Sequence, residues 1–188
     1  MCLEIFRDAG KAFTQAAKRR KMGNTALVLV ESAIMAAVAV LVITAKASSV
    51  LQAAVLGFGL NVFALVILIG IIGGFVIKVV CNALGAKGGF FEGLTALSYA
   101  FAPISAGLLI ASVLTLIPLG IALGAIALAI LIGLGLAVLY RGVKEMFRTD
   151  MITAFVAVSI TTLAFIIALY ASVGLNLLVN LGRLLPGI

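Results

Sequence analysis

Hydrophobic residues occur in five long runs, separated by short segments that hold most of the charged residues. A helix rises about 1.5 Å per residue, so about 20 residues cross the roughly 30 Å hydrocarbon core of a bilayer. Each run is long enough to do so. The pattern therefore predicts an all-α membrane protein, with a five-span helical bundle in region 23–180 and a short external tail at 181–188. The predicted spans are about 25–45, 50–80, 93–117, 119–140 and 151–179.

Glycine and proline positions refine this picture. The second run, 50–80, is too long for a straight perpendicular helix, so it must tilt, project or break, and Gly73-Gly74 is the expected flexible point. Pro103 lies inside the third run and predicts a kink, because proline removes a backbone donor. Pro118 and Gly120 predict a tight turn between the third and fourth spans. Asp150 is placed to cap the fifth helix.

Residues 1–22 precede the first span and alternate apolar with charged positions at helical spacing. Phe6 and Phe13 lie on the apolar stripe. This pattern predicts an amphipathic helix on the cytoplasmic membrane surface. Anionic headgroups would stabilise such a helix by roughly 1 kcal/mol for each nearby cation. The basic residues could also serve only to set the topology of the chain in the membrane. The predicted lipid-contacting cations are Lys11, Lys18, Arg19, Arg20 and Lys21.

Composition excludes a water-soluble domain. The chain is 65% hydrophobic and 10% charged, with a mean hydropathy of +1.38, whereas soluble domains are about a quarter charged. Of the thirteen Lys and Arg residues, all but Lys46 and Arg183 belong to one side of the predicted topology. Basic residues are retained in the cytoplasm, so we expect the N-terminus inside and the C-terminus outside, in the plasma membrane if the host is prokaryotic. This distribution also accounts for the net charge of +7 without nucleic-acid binding.

Reactive constellations are scarce. The chain has no His and two distant Cys residues, Cys2 and Cys81, so we expect neither a metal site nor a cofactor. The Gly-rich segment 85–93 lacks the Gly-Lys-Ser/Thr ending of a phosphate-binding loop. The serines of the third span have no base within sequence reach. We therefore expect no catalytic residues and no enzymatic activity.

One polar site is predicted within the spans. Glu31 is the single carboxylate inside a predicted span, and burying its charge there would cost several kcal/mol. Lys78 lies at comparable depth on the antiparallel second span, and Asn61 lies near mid-depth. Glu31 and Lys78 form a structural pair, or Glu31 reaches the headgroups, or the residues form a proton or cation site that Asn61 joins. The second alternative would suit a small oligomeric channel or transporter.

Small residues recur at four-residue spacing in two spans, which lets membrane helices approach closely. The spacing supports a compact bundle, and it fits packing within one chain as well as a homo-oligomer or another membrane protein. The recurring positions are Gly70 and Gly74, then Gly120 and Gly124, then Ala125, Ala129 and Gly133.

Three short segments resemble the Yip domain family of five-span integral membrane proteins. A Gly-rich loop leads to Gly88-Gly-Phe-Phe-Glu and then to Tyr99-Ala-Phe-Ala-Pro103. Ile117-Pro-Leu-Gly120 follows at the turn, and Tyr140-Arg-Gly-Val-Lys-Glu-Met-Phe-Arg148 follows the fourth span. The resemblance covers about residues 25–179. It implies that Gly88, Tyr99, Pro103 and Pro118 set the shape of the bundle. Gly73 and Gly74 are expected to shape the second helix because of the length of its run.

The resemblance also implies a function without chemistry. Eukaryotic members interact with Rab-type GTPases in vesicle traffic between endoplasmic reticulum and Golgi, through a long cytosolic N-terminal region. The twenty-two residues before the first span are a departure that argues against GTPase binding and is typical of a minimal prokaryotic member. We therefore expect a non-enzymatic protein that organises membranes or binds partners and anionic lipid through its cytoplasmic face. A small oligomeric channel or transporter is the alternative.

Overall fold

Five long helices, and no strand, make up the part of the chain that the structure describes. The computed structural model describes residue 13, residues 22–47 and residues 52–184, without the side chains of 45–47, 52–56 and 168–184. The prediction of an all-α membrane protein is confirmed. The helices are α1 (Met22–Ala47), α2 (Gln52–Ala83), α3 (Phe90–Leu114), α4 (Gly120–Phe147) and α5 (Met151–Leu184).

Among the residues whose side chains are described, four helices contain segments long and apolar enough to cross a bilayer, and α5 contains the shorter apolar stretch Met151–Ile167. Most of the predicted surface helix lies outside the described residues, and so do its cations Lys11, Lys18, Arg19, Arg20 and Lys21. Residues 185–188 of the tail lie outside them too. The four long segments are Met22–Thr44, Gly57–Ala83, Phe90–Leu114 and Gly120–Phe147.

The fourth helix is longer than predicted. We expected it to end near Tyr140 and to be followed by a cytoplasmic segment, but α4 continues to Phe147. The two additional turns form because Val143, Met146 and Phe147 recur at helical spacing and are all buried. Charged residues on the other faces of these turns hid that apolar stripe from a hydropathy reading.

One continuous helix passes through Gly73 and Gly74, so the structure shows no break in α2 at these glycines. Their expected flexibility stays a prediction. A Cβ on Gly73 would lie 2.5 Å from both Leu97 Cδ2 and Phe165 Cζ. A Cβ on Gly74 would lie 2.9 Å from Leu94 Cα, and one on Gly93 would overlap the Gly74 carbonyl oxygen. The glycines therefore allow α2 and α3 to cross with their backbones in contact.

The most extensive helix interface joins α3 to α4 and also depends on glycine. A Cβ on Gly107 would lie 2.8 Å from Leu131 Cβ, and one on Gly124 would lie 3.1 Å from the Ala111 carbonyl oxygen. A Cβ on Gly135 would lie 2.5 Å from Ile104 Cγ1. Close approach along the whole helix pair follows from these small residues.

The predicted small-residue positions divide into two groups. Gly70, Gly74 and Gly124 do pack within the chain, since a Cβ on Gly70 would lie 2.7 Å from Leu29 Cδ1, and Gly120 abuts the preceding turn. By contrast, Ala125, Ala129 and Gly133 are exposed. A Cβ on Gly133 would meet nothing within 4 Å. This second stripe is therefore not an interface within the chain.

The two prolines of the predicted kink and turn lie in different environments. Pro103 is buried inside α3, which continues past it to Leu114. Pro118 is exposed in the turn between α3 and α4, where the Gly120 N–H donates to the Ile117 carbonyl oxygen at 2.9 Å. Leu119 takes a left-handed conformation with φ of 68°. The predicted tight turn is confirmed.

Buried polar side chains are satisfied within the bundle. The Thr95 hydroxyl donates to the Phe91 carbonyl at 2.7 Å, so the Thr25 hydroxyl, 3.0 Å away, donates to Thr95 and links α1 to α3. Ser32 and Ser98 donate to carbonyls four residues earlier on their own helices. Among the described residues, no buried side-chain nitrogen or oxygen lacks a partner. Such bonding is required where no bulk water can compensate.

The α2–α3 crossing predicts the effect of one methyl group. Gly93→Ala should lower the free energy of unfolding by about 1–3 kcal/mol, because the added Cβ overlaps a backbone carbonyl that cannot rotate away. The matched control is Gly133→Ala on α4, where the space is open. It should be neutral or stabilising by up to about 1 kcal/mol. Unfolding in mixed micelles, followed by circular dichroism, measures both; equal transitions would contradict the proposed contact.

Candidate functional site

A cleft of about 740 Å³ lies at one end of the bundle, where the α2–α3 and α4–α5 connections meet. We call this end the loop end and the cavity the loop-end cleft. One wall is the Gly-rich connection, and the other is the end of α4 with the start of α5. The lining residues are Leu84, Gly85, Ala86, Lys87, Gly88, Gly89, Glu92, Glu145, Met146, Phe147, Arg148, Thr149, Asp150 and Thr153.

Hydrogen bonds fix the backbone of the Gly-rich wall. The Gly85 N–H donates to the Asn82 carbonyl at 3.1 Å, and the Ala86 N–H donates to the Cys81 carbonyl at 2.9 Å. This Schellman pattern needs a left-handed residue, and Gly85 supplies it with φ of 84°. With its amide nitrogen turned toward the loop, Asn82 donates to the Ala86 and Gly88 carbonyls at 3.0 and 3.2 Å. The Asn82 side chain therefore fixes the Gly-rich connection to the end of α2.

The same wall ends in a capped helix. Glu92 accepts a hydrogen bond from the Gly89 N–H at 2.9 Å, which forms a capping box at the start of α3. The Glu92 side chain is buried, so the carboxylate faces the backbone that it caps. This bond fixes the point at which the loop becomes a helix.

Gly88 joins this wall to the opposite one. A Cβ on Gly88 would overlap the Phe147 ring, and Phe147 is almost completely buried. The aromatic ring therefore occupies the space that a side chain at 88 would need. The resemblance pointed to Gly88 as a shape-setting residue, and the packing gives the physical reason.

The second wall contains a helix end and a helix start. Arg148 follows α4 in a left-handed conformation with φ of 49°, and the Thr149 N–H donates to the Lys144 carbonyl at 3.2 Å. Asp150 then accepts hydrogen bonds from the backbone N–H groups of Ile152 and Thr153 at 3.0 and 3.2 Å. Its predicted role as the cap of the fifth helix is confirmed.

Hydrogen bonds also set the charge state of this cap. Bonds from the side chain and the backbone of Thr153, with a further one from Ile152, hold the pKa of Asp150 below its ordinary value. The exposed cations Lys87 and Arg148 line the same cleft, as does exposed Glu145. Exposed groups of both charges therefore line the cleft, which suits a polar partner surface better than an isolated ion.

An unexpected aromatic contact lies beneath the cleft. Phe13 is completely buried and packs edge-on against Tyr99, with ring centroids 5.2 Å apart. A Cβ on Gly142 would lie 2.7 Å from the Phe13 ring. We had expected Phe13 on a lipid-facing stripe, but it belongs to the core cluster that includes Met146 and Phe147. Hydropathy cannot distinguish the two positions, because a lipid-facing and a core Phe are equally apolar.

The predicted intramembrane residues lie apart from the cleft. Glu31 on α1 and Lys78 on α2 are half-buried, and the Lys78 Nζ lies 5.7 Å from the centroid of the Phe75 ring. Asn61 is exposed on α2. None of the three lines the loop-end cleft or the second cavity, which lies between α4 and α5. Their grouping into one polar site stays a prediction.

Two residues that organise the cleft were not identified from the sequence. Asn82 lies just beyond the predicted second span, and an Asn shortly before a helix-ending Gly is well placed to bond the turn. Phe147 was placed in a polar segment. Its spacing of four from Val143 was the available signal.

The contact between Gly88 and Phe147 predicts a coupled effect. Gly88→Ala should destabilise the protein by about 1–3 kcal/mol, since the ring has no free space to enter. In a Phe147→Leu background the same change should cost clearly less, because the overlapping ring atoms are gone. A double-mutant cycle of unfolding free energies measures this difference. Additive effects of the two substitutions would contradict the contact.

Comparison with known proteins agrees with this architecture. A family model described as the Yip1 domain matches residues 3–172, which include α1 to α4 and the first part of α5. No curated protein and no solved structure matches the chain. The match extends over most of the chain and over both walls of the loop-end cleft. The chain therefore belongs to the Yip1 domain family and is a multi-pass membrane protein.

Proposed function

We propose that this Yip1 domain protein is a non-enzymatic membrane protein that binds a partner protein through the loop-end cleft. The observation that carries the proposal is the cleft itself, a polar concavity at the end of an apolar bundle. Both of its walls have a backbone fixed by hydrogen bonds, and its rim carries exposed charges of both signs. A preformed and chemically mixed surface of this kind favours recognition, because little ordering entropy is lost on binding.

The state of the lining acids supports binding over catalysis. Glu92 caps α3, and Asp150 caps α5 with a lowered pKa. A general base needs a pKa close to the working pH and a free lone pair near a nucleophile. Both of these carboxylates are instead engaged with backbone N–H groups, and the third lining acid, Glu145, is exposed at the rim. The described part of the chain thus favours a docking role for these groups.

The interior of the bundle gives less support to a channel or transporter. The buried hydroxyls donate to carbonyls or to one another. The second helix is continuous at Gly73-Gly74, where a break was one of the three alternatives. Glu31, Asn61 and Lys78 line neither the loop-end cleft nor the α4–α5 cavity. A transport path between these residues therefore has no support from the described cavities.

The charge distribution supports placing the loop end in the cytoplasm. Lys87, Arg141, Lys144 and Arg148 lie at or near that end, whereas the opposite turn at 115–119 has no basic residue. Cytoplasmic retention of basic loops then gives the cleft access to cytosolic partners. Anionic lipid of the same leaflet would be the ligand of the basic residues at 18–21.

Cysteine labelling tests this orientation. In a background with both native cysteines replaced, Leu119→Cys should react with a membrane-impermeant maleimide on intact cells, because Leu119 is 88% exposed in its turn. Lys87→Cys should react only after the membrane is opened. The two variants serve as controls for each other. Labelling of Lys87→Cys on intact cells would place the loop end outside the cell and would contradict the proposed orientation.

Site-specific photocrosslinking tests the function. A photoreactive phenylalanine analogue at Lys87 or Thr149 should form a discrete crosslinked product in cells, and the same analogue at Leu119 should not. Arg148→Glu should reduce that product at least several-fold, while Arg148→Lys should retain it, because the charge at the rim is preserved. Failure to form a product from either cleft position would overturn the proposal. Equal products from all three positions would show non-specific capture and would also overturn it.

A further inference from the structure

A second cavity, of about 520 Å³, lies between α4 and α5. Leu136, Ala137 and Tyr140 form one wall, and Phe155, Ser159 and Ile166 belong to the other. It shares no lining residue with the loop-end cleft. Nearly all of its surface is apolar, and most of its lining side chains are exposed or half-buried at the surface of the bundle. We call this cavity the α4–α5 groove.

The groove has the position and length of a site for one leaflet. Its α5 wall extends from Phe155 to Ile166, which is about 16 Å of helix at 1.5 Å per residue. That is about half of the roughly 30 Å hydrocarbon core. Both walls belong to apolar helices of a membrane protein, so the opening faces acyl chains rather than water.

Cations lie directly beyond one end of the groove. Tyr140 is the lining residue of α4 that is nearest the loop end. Lys144 follows Tyr140 by four residues, and Arg141 follows Ala137 by four, so each continues the groove stripe by one helical turn. Arg141 is exposed and Lys144 is half-buried. An apolar trough with a tyrosine and two cations at its end complements an acyl chain attached to an anionic headgroup.

We propose that the α4–α5 groove binds an anionic phospholipid of the loop-end leaflet. One acyl chain lies between Ala137 and Ser159, and the phosphate lies beside Arg141 and Lys144. Guanidinium and ammonium groups donate charge-assisted hydrogen bonds to phosphate oxygens. The Tyr140 hydroxyl lies at the boundary between the hydrocarbon and the headgroup.

The groove is too small to enclose a helix from a second copy of the chain. A helix is about 10 Å wide, so only part of its surface could enter a cavity of about 520 Å³. An acyl chain is thinner and flexible, and it needs no hydrogen-bond partners along its length. The shape therefore favours lipid, and a second copy becomes an outcome that the experiment can detect.

Native mass spectrometry of the full-length protein in detergent tests the proposal. The probes are phosphatidylglycerol and phosphatidylcholine with identical acyl chains. Wild type should retain one phosphatidylglycerol with a preference of about tenfold or more over phosphatidylcholine, as expected for about 1.4 kcal/mol or more of headgroup interaction. Ala137→Phe should fill the groove and remove retention of both lipids. Ala129→Phe is the matched control, since Ala129 is also exposed on α4 but lines neither cavity.

Separate variants address the headgroup and possible misfolding. Arg141→Gln with Lys144→Gln should abolish the preference for phosphatidylglycerol but leave weak retention of either lipid. Arg141→Lys with Lys144→Arg should keep the preference. Ser159→Leu blocks the groove from α5, so it repeats the test if Ala137→Phe fails to fold. Photoreactive acyl chains should label peptides at 136–140 and 155–166.

Three results would contradict the lipid proposal, and each has a different meaning. Unchanged retention in Ala137→Phe and Ser159→Leu would overturn the proposal, and equal loss in Ala129→Phe would show annular lipid only. A dimer that replaces the lipid-bound monomer would assign the groove to a second copy. None of these outcomes depends on the photocrosslinking at Lys87 and Thr149, so the lipid site and the partner site are tested independently.

Discussion

The central constraint of this structure is that three helices must approach α3 closely in a solvent that gives them no hydrophobic reason to associate. Lipid tails are as apolar as leucine, so association depends on packing contacts and on polar links between helices. Glycines provide the packing: Gly74 of α2 meets Gly93, and Gly135 of α4 meets Ile104. The linked hydroxyls of Thr25 and Thr95 join α1 to the same helix. All nine residues from Glu92 to Ala100 are consequently buried.

The loop-end cleft depends on this arrangement of α3. Gly93 lies four residues into the helix, so the α2–α3 crossing is only about one turn from the Gly-rich connection. The connection is therefore short and has little freedom to move. On the other side, burial of Val143, Met146 and Phe147 extends α4 to the level of the loop. The cleft is the space that remains between two chain segments whose positions are set by the packed helices below them.

The sequence predicted the helices better than the contacts between them. Hydropathy determines which segments enter a bilayer, and all five segments were identified. It does not say which face of a span meets protein, because both faces are apolar. For this reason Ala125, Ala129 and Gly133 seemed equivalent to Gly124, although only Gly124 contacts α3. The same limit applies to Gly73 and Gly74, where a pattern typical of flexibility serves close packing.

The candidate site shows a similar division. The sequence indicated the Gly-rich loop and the cap at Asp150 through local chemistry, and the family resemblance indicated Gly88. The partners of these groups come from distant positions: Phe147 lies fifty-nine residues after Gly88. No local signal connects such positions without the fold.

Phe13 extends this reasoning to the segment before the first span. Its ring is buried against Tyr99 and beside Gly142, within the cluster that supports Phe147. A ring that is fully buried in this way cannot also insert into lipid. The proposed contact of the N-terminal segment with anionic lipid must therefore be made by residues other than Phe13. The candidates are the basic residues at 18–21, whereas Phe13 belongs to the same packed cluster as Phe147, which lines the cleft.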